Sequence, residues 1–520
     1  TNFTNSLLVG TSSTGTLNSA DGNTGVGTGV FAALTSGDNN VAIGCGSMAA
    51  NTTGCLNVAV GKGSLCTNTT GIKNTALGRD SMLANTSGDC NVALGHEALD
   101  TNTTADNNTA IGSSALQANT TGSPNTAVGR NSLSANTTGA CNTGVGYNVM
   151  SNNSTGTRNT AVGHQAGDAI TTGNLNTAMG FQSLFNNTTG SLNVAIGDYS
   201  SDANTTGTRN ASLGSESLGS NTTGNDNTGI GQCALKTNTT ASENTAVGSH
   251  AMKLNTTGAE NTALGVNALC TNTTGDKNTA IGKGGLDSNT TGDDNVAVGF
   301  ASLAANTTGN SATAVGCGAL TKQTTPTDNT AIGKIAACAT TTGDYTVAVG
   351  VGALQEQTTG ACNTGVGHGS LVALTTGSTN TAVGRCSLGR VTTGSNNTVI
   401  GDFAGSDAVA NIVDSGSNHI VLGNNNSAVA KIKIDWTVTS DARDKMNIEN
   451  VPHGLNFVNQ LNPIKFDFKK SRDNATPHGK TKYGFKAQDI MALEGNNPII
   501  INDDDPEHLG YTAANMVPVL

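Results

Sequence analysis

Short apolar segments recur along the chain at a constant spacing of 17 residues, and a glycine closes each of them. The consensus reads N-T-A-V-G-x-x-A-L-x-x-N-T-T-G-x-x. The closing glycines run without insertion or deletion from Gly10 to Gly401, 24 in all. Alternation within N-T-A-V is typical of a β-strand, with Asn and Ala on one face and Thr and Val on the other. A fixed period means that each unit stacks on a copy of itself, so the pattern predicts a mainly β protein built around a β-solenoid or β-roll.

Neither face of the predicted strand carries a charge, as residues 74–78 illustrate. We therefore expect one face to be buried in the coil and the other against a neighbouring chain, because so little bulk per turn favours a core completed by other chains. The Asn four residues before the glycine occurs in 21 of the 23 repeats that end at Gly27 to Gly401, with Ala312 and Thr346 as exceptions. Stacked amides of this kind are expected to form a hydrogen-bonded ladder.

The remainder of each repeat supplies one large apolar residue per turn, followed by T-T-G, which is turn chemistry. The segment x-x-A-L-x-x-N is compatible with a second strand or with a single helical turn, and the periodicity leaves both open. The unit after Gly163 is atypical, because Gly167 replaces the leucine. The unit after Gly401 has the same change, at Gly405.

The 17-residue pattern ends after residue 405, which divides the sequence. Residues 418–423 read as one last strand, and residues 431–438 alternate with Ile432, Ile434 and Trp436 on one face. Six of the eight prolines lie beyond this point. The sequence therefore predicts a shaft over residues 1–405, a β transition or neck over 406–436, and a small separate α+β domain over 437–520.

Composition narrows the classes of function. Aromatic residues make up 3% and charged residues 12% of the chain, and the net charge is −11. Without a basic stripe, nucleic acid is not an expected partner. No apolar run is long enough to cross a membrane, so membrane insertion is not expected. Residues 1–4 show no signal-peptide pattern.

All eleven cysteines lie in the repeats at variable positions, and no C-x-x-C pair occurs. Neither a zinc site nor a disulfide ladder is expected, and the cysteines read as small space-fillers of a protein assembled in a reducing cytosol. Five histidines of the repeats are too far apart in phase to be ligands and read as surface variation: His96, His164, His250, His368 and His419. No metal and no cofactor is expected.

Three motifs follow one another in the C-terminal region: S-D-A-R-D-K-M-N-I at 440–448, L-N-P-I-K-F-D-F-K at 461–469 and Y-G-F-K-A-Q-D at 483–489. Together they resemble the endosialidase-type intramolecular chaperone domain, which caps trimeric viral fibres and spikes. The resemblance covers roughly residues 437–520. Because that family usually continues into a long C-terminal helix, the domain is expected to be shortened or incomplete here. The N-T-A-V-G repeats resemble the head repeats of trimeric autotransporter adhesins and the β-repeats of phage tail fibres, although 17 residues exceeds the usual adhesin unit.

The resemblance implies a self-cleavage that follows trimer assembly, at the bond between Ser440 and Asp441. Ser440 would be the nucleophile and Lys445 its base, which is chemically reasonable if burial lowers the pKa of the lysine. A solvated turn with an ordinary surface lysine remains the alternative. This implies at most a single-turnover serine peptidase, with no turnover enzyme in the shaft. The other motif residues carried over from the family are Arg443, Asn447, Gly484, Phe485 and Gln488.

The leading interpretation is a homotrimeric fibre or spike of a virion, assembled in the host cytoplasm. Its expected partners are a receptor on the host surface and other tail or capsid proteins. The receptor is expected to be a glycan. A glycan-degrading spike is one alternative, but glycosidases need two positioned carboxylates. The repeats carry acids only at scattered slots such as Glu97, Asp198 and Glu216. A bacterial surface adhesin and a surface-binding solenoid, the latter suggested by the stacked Thr-Thr pairs, are the others.

Overall fold

A computed structural model describes residues 3–10, 14–407, 412–427, 443, 445–471, 474–495, 498–502, 509–512 and 516. The chain divides into two compact units, unit 1 (Thr1–Asp344) and unit 2 (Tyr345–Leu520). Unit 1 consists of solenoid turns. Unit 2 contains further solenoid turns and the C-terminal region. The domain boundaries expected at 405 and 436 stay predictions, since residues 408–411 and 428–442, with the expected strand at Trp436, lie outside the described residues.

Each turn of unit 1 contributes one three-residue strand that pairs in parallel with the equivalent strand 17 residues away, as Thr75 pairs with Val92 and Leu77 with Leu94. This confirms the predicted 17-residue solenoid, and the structure shows that its strands are parallel. A short edge pair, β1 (Phe3–Thr4) with β3 (Ala20–Asp21), lies beside it. The twenty ladder strands of unit 1 are β2 (Leu7–Val9), β4 (Thr24–Val26), β5 (Val41–Ile43), β6 (Val58–Val60), β7 (Thr75–Leu77), β8 (Val92–Leu94), β9 (Thr109–Ile111), β10 (Thr126–Val128), β11 (Thr143–Val145), β12 (Thr160–Val162), β13 (Thr177–Met179), β14 (Val194–Ile196), β15 (Ala211–Leu213), β16 (Thr228–Ile230), β17 (Thr245–Val247), β18 (Thr262–Leu264), β19 (Thr279–Ile281), β20 (Val296–Val298), β21 (Thr313–Val315) and β22 (Thr330–Ile332).

The interior of unit 1 is filled by the chain itself. The middle residue of a strand, such as Ala76, and the large residue of the following segment, such as Leu99, are both fully buried. The first and third strand residues lie outside, as Thr75 and Leu77 do. The predicted alternation is therefore confirmed. The expectation that other chains complete the interior is wrong, because alanine, leucine and asparagine from successive turns already close it.

The segment after each glycine is neither a strand nor a helical turn. It is a series of tight turns in which every second residue is left-handed, as at Asp80 (φ 54°) and Met82 (φ 50°). The backbone N–H of Asp80 donates to Lys62 O of the preceding turn at 2.9 Å, and that of Met82 donates to Ala98 O of the following turn at 2.9 Å. A left-handed non-glycine residue is costly, and these bonds to both neighbouring turns hold it in place.

The repeated glycine is required by a close approach between turns. Gly78 has φ of 144°, and a Cβ atom placed on it would lie 2.3 Å from the carbonyl oxygen of Gly95. Real Cβ atoms do not approach backbone that closely, so any side chain here would push successive turns apart.

The predicted asparagine ladder is present and fully buried. Asn74 donates its backbone N–H to Asn57 Oδ1 at 2.9 Å, accepts from the N–H of Asn91 at 2.9 Å, and donates Nδ2 to Gly88 O at 2.8 Å. A second ladder, which the sequence reading did not single out, runs through the Asn seven residues after each glycine, where Asn85 Nδ2 donates to Asn68 Oδ1 at 2.8 Å. Buried amides are stable only when paired, so both ladders fix the register of the turns.

The breaks in the ladders are compensated locally. Ala312 lacks the side-chain amide that would accept a hydrogen bond from Asn329. In the same turn Gln323 replaces the asparagine of the second ladder, and the longer glutamine side chain accepts a hydrogen bond from Asn329 Nδ2 at 3.0 Å. In unit 2 the same replacement accompanies Thr346, where Gln357 Nε2 donates to Thr346 Oγ1 at 2.7 Å. The cost falls on Asn306, whose Oδ1 has no hydrogen-bond partner among the described residues.

Unit 2 contains five parallel ladder strands of the same kind and, after them, elements of a different character. The ladder strands are β23 (Val347–Val349), β24 (Thr364–Val366), β25 (Thr381–Val383), β26 (Thr398–Ile400) and β27 (Ile420–Leu422). The C-terminal region consists of α1 (Leu455–Val458), the antiparallel pair β28 (Ile464–Ser471) and β29 (Asn474–Gly484), α2 (Ala487–Glu494), and the short pair β30 (Ile501–Asn502) and β31 (Gly510–Tyr511). Its small core contains Phe457, Ile490, Ile500, Ile501 and Met516. The predicted small α+β domain is thus observed in the described residues.

Restoring both ladders at the compensated break should stabilise unit 1. The double variant Ala312→Asn/Gln323→Asn gives Asn306 Oδ1 a donor and returns the amide to position 312. Pairing a buried polar atom contributes about 1–2 kcal/mol, which corresponds to roughly 5- to 30-fold slower amide exchange in these turns. Hydrogen exchange followed by mass spectrometry measures it.

The single variant Gln323→Asn is the matched control for the restored ladder. It supplies the donor to Asn306 but removes the acceptor of Asn329 Nδ2, so it should gain less protection than the double variant. Exchange in the double variant that is equal to or faster than in the natural protein would contradict the cost assigned to the unpaired Asn306 Oδ1.

Candidate functional site

A cleft of about 380 Å³ opens on the surface of unit 1, where the otherwise regular rows of side chains are interrupted. Gly219 creates it: it is the only glycine five residues after the repeat glycine in the repeats from Gly27 to Gly333. A Cβ atom at Gly219 would lie 3.3 Å from Asp202 Oδ1, so a larger side chain would fill the space. The lining residues are Tyr199, Asp202, Ala203, Glu216, Gly219, Ser220 and Lys236.

The charged groups of the cleft have different environments. Glu216 forms an ion pair with Lys236, and this hydrogen bond and charge lower the pKa of the Glu216 carboxyl below its usual range. Burial raises the pKa of the Asp202 carboxyl, with the nearby charge of Glu216 adding to the rise. The cleft therefore holds one firmly ionised carboxylate, one carboxyl shifted towards its protonated form, and an ammonium group within reach of a polar ligand.

A line of stacked side chains leads to the cleft along the outside of the turns. The rings of Tyr147 and His164 are stacked at 5.2 Å between centroids, as are those of His164 and Phe181. Tyr199 meets Phe181 edge to face at 5.2 Å, and the Arg130 guanidinium lies 5.9 Å from the Tyr147 ring centroid. His164 lies on the surface, as expected, and its ring also joins this stack.

The period itself carries the signal that would have revealed these groups. Residues 17 apart occupy neighbouring places on successive turns, so Tyr147, His164 and Phe181 must lie side by side. The sequence analysis named Glu216 only as one of the scattered acids of the repeats, and it missed Tyr199 and Lys236. It also named Glu97 and Asp198, neither of which lines the cleft. Instead, Asp198 Oδ1 accepts from the backbone N–H of Phe181 at 3.0 Å, and Glu97 lies 3.6 Å from the His96 ring nitrogen.

The cysteines are all free thiols, and they differ in exposure. Cys233 is buried, whereas five others are exposed: Cys45, Cys90, Cys141, Cys317 and Cys362. Their description as space-fillers is therefore wrong for the exposed ones, because their slots face away from the interior. Among the described residues, no group of three or more His, Cys, Asp or Glu side chains is arranged to hold a metal ion. Nor does any helix in that part of the chain have the length and apolar character needed to cross a membrane.

The C-terminal hairpin brings two of the three sequence motifs together. Ile464 in the second motif pairs with Gly484 in the third, and Lys465 pairs with Tyr483. A Cβ atom on Gly484 would lie 3.1 Å from the Phe466 ring, so a small residue suits this position. The third motif then runs into α2.

The remaining motif residues of this region have clear places. Phe485 packs on the small C-terminal core, and Gln488 lies exposed on α2. The Glu494 carboxylate at the end of α2, only 1% exposed, accepts from the backbone N–H groups of Ile499, Ile500 and Ile501 at 2.7–3.1 Å. The end of α2 is thereby tied to the segment that follows it.

The residues implied in self-cleavage are only partly described. Ser440 and Asp441 lie outside the described residues, so the dyad and the cleavage point stay predictions. Lys445 is exposed in the single chain, as are Arg443 and Asn447, and Asn447 is left-handed with φ of 54°.

The comparisons with known proteins agree with this organisation. Residues 440–497 match the family model described as the chaperone of endosialidase. No curated protein and no solved structure matches the chain. A C-terminal region similar to this chaperone, together with a parallel β-solenoid, fits a fibre-like or tail-spike-like protein.

Proposed function

We propose that this protein is a trimeric fibre or spike of a virion that attaches to a glycan on the host surface. The observation that carries the proposal is the chaperone-like match over residues 440–497 in a chain that also contains a long parallel solenoid. Repeated turns give a solenoid its length and a regular surface, but they do not set the number of chains in an assembly. A chaperone that gathers three chains would supply that number. Other tail or capsid proteins would hold the assembled fibre.

The domain organisation belongs to the same proposal. Residues 1–405 would form the shaft, 406–436 the neck and 437–520 the chaperone-like domain. A change from parallel turns to an antiparallel hairpin between β27 and β28 supports a division in this part of the chain. Assembly would take place in the host cytoplasm, where the eleven free thiols are compatible with a reducing environment.

The cleft beside Tyr199 is the proposed contact with the glycan. Tyr199 is 41% exposed, and carboxylate and ammonium groups lie around it. An aromatic ring offers an apolar surface to the C–H groups of a sugar, while charged groups hydrogen-bond its hydroxyls. The stack from Tyr147 to Phe181 holds the approach to Tyr199 in a fixed place.

Closing the cleft should abolish this binding without disturbing the solenoid. In Gly219→Gln the added side chain fills the space, and the same slot already holds glutamine at Gln117. We expect binding to a host-glycan array to fall at least about fivefold for Gly219→Gln, and by a similar factor for Tyr199→Ala, since an aromatic contact is worth about 1 kcal/mol or more.

The matched control for the closed cleft is Ser134→Gln, which adds the same side chain in the same slot of a distant repeat. It should bind like the natural protein. If Gly219→Gln and Tyr199→Ala also bind undiminished with unchanged circular dichroism, the glycan contact lies elsewhere.

Self-cleavage after assembly is proposed at the bond between Ser440 and Asp441. Because Lys445 is exposed in the single chain, its activation as a base would require burial by neighbouring chains, so cleavage should follow assembly. Natural protein should give two fragments on a denaturing gel. Ser440→Ala should give one full-length band, and Lys445→Ala should slow cleavage at least about 100-fold, the usual range for loss of a general base.

Lys465→Ala is the control for the lysine variant, since it removes an exposed lysine from β28. Its cleavage should match that of the natural protein. A single full-length band from the unmutated chain would rule out self-cleavage at Ser440.

Glycan hydrolysis is the second candidate function, because the carboxyl groups of Asp202 and Glu216 have pKa values shifted in opposite directions. Paired acids with divergent pKa values are the usual requirement for acid–base work on a glycosidic bond. If the shaft hydrolyses a bound glycan, it should release reducing ends. Asp202→Asn should then lower the rate of this release at least about 100-fold. A glycan of unchanged length after prolonged incubation would exclude hydrolysis, and binding would be the remaining function of the cleft.

A further inference from the structure

One outward row of unit 1 is apolar in every turn. The third residue of each ladder strand is Val, Ile, Leu or Met in all twenty strands, and none of these side chains is buried. Several are close to half exposed, such as Leu77 at 46% and Leu213 at 48%. We call this set the apolar row: Val9, Val26, Ile43, Val60, Leu77, Leu94, Ile111, Val128, Val145, Val162, Met179, Ile196, Leu213, Ile230, Val247, Leu264, Ile281, Val298, Val315 and Ile332.

Strand propensity does not account for the apolar row. The first residue of the same strands faces the same side, and there threonine occurs in 13 of the twenty. Threonine is as good a strand former as valine, so propensity alone would admit it equally in both rows. Its complete absence from the third position indicates that this row must exclude water.

The interior of the solenoid does not account for the row either. The middle strand residue, such as Ala76 or Ala263, fills the interior and is fully buried. The third residue points away from that interior, and none of the described residues buries it. An uncovered apolar row of this length on a sheet is an association site or an aggregation hazard.

The rows on either side of this face admit charges. In one turn, for example, the central residues Thr279 and Ile281 are flanked by Lys277 on one side and Lys283 on the other. The four residues are two positions apart, and all are at least partly exposed. The two central rows carry no charge in any of the twenty strands. An uncharged apolar centre with a charged rim is the composition of a protein–protein interface.

We infer that the apolar row is the face by which copies of this chain pack against one another. Twenty side chains with on the order of 50 Å² of exposed surface each offer about 1,000 Å² per chain, against about 800 Å² per partner in a typical stable interface. A partner must match one apolar side chain per turn over twenty turns. A second copy of the chain presents apolar side chains at that same spacing. A third copy completes a closed assembly with threefold symmetry.

This inference deepens the proposed function, since it rests on the trimer and names the surface that holds it. The triple variant Ile230→Lys/Val247→Lys/Leu264→Lys introduces three charges into adjacent turns of the row. We expect a threefold fall in molar mass by sedimentation equilibrium with an unchanged circular dichroism spectrum. The milder set Ile230→Thr/Val247→Thr/Leu264→Thr keeps strand propensity, so it reports on the interface even if the lysine variant fails to fold. It should raise the dissociation concentration of the trimer at least about 10-fold.

The matched control adds three lysines to the same turns on another exposed row: Thr223→Lys/Thr240→Lys/Thr257→Lys. It should remain a trimer. A natural protein that sediments as a single chain overturns the proposed trimer together with this interface. A trimeric natural protein whose threonine set dissociates no more readily than the control overturns the interface alone, and leaves the proposed trimer in place.

Discussion

The close stacking of successive turns is the constraint on which the rest of this structure depends. At Gly78 the next turn approaches so near that a Cβ atom would lie 2.3 Å from a backbone oxygen. This spacing lets each asparagine reach the next one, as Asn74 reaches Asn57. Because every turn repeats the same contact, an insertion of one residue would break both ladders and the strand register together. The strict 17-residue period follows from that physical requirement.

Because the buried residues of each turn are nearly invariant, the residues that can vary to provide function are those on the outside of the solenoid. Alanine and asparagine are repeated almost without change, whereas the slots after each glycine hold cysteine, lysine, arginine or aromatic residues. Residues in one slot become neighbours on successive turns, which is how Tyr147, His164 and Phe181 form a stack. A single glycine in a slot opens a cleft, as Gly219 does. Local chemistry can therefore vary along a solenoid at little cost to stability.

The exceptions to the repeat show how tightly the interior is coupled. The loss of an amide at Ala312 is accompanied by a longer amide at Gln323. In another turn Gly167 leaves the space of a leucine, and Ile170 approaches it from the second-ladder position. That exchange leaves Asn153 Oδ1 without a hydrogen-bond partner among the described residues. Space in the interior is thus refilled within a turn where one residue departs from the pattern, but one amide oxygen of the second ladder loses its donor.

The sequence by itself determined the solenoid, its period, the strand faces and the first asparagine ladder, because a contact repeated at fixed spacing leaves a periodic trace in the residues. It also carried the C-terminal motifs. Only the tertiary structure decided that the leucine segment is a series of tight turns with alternate residues in the left-handed conformation, as at Met82, since hydrogen bonds to two neighbouring turns override local preference. It likewise decided that one chain fills its own interior and that Tyr199 and Lys236 meet in one cleft. Such facts depend on which atoms face each other across turns, and no single repeat contains that information.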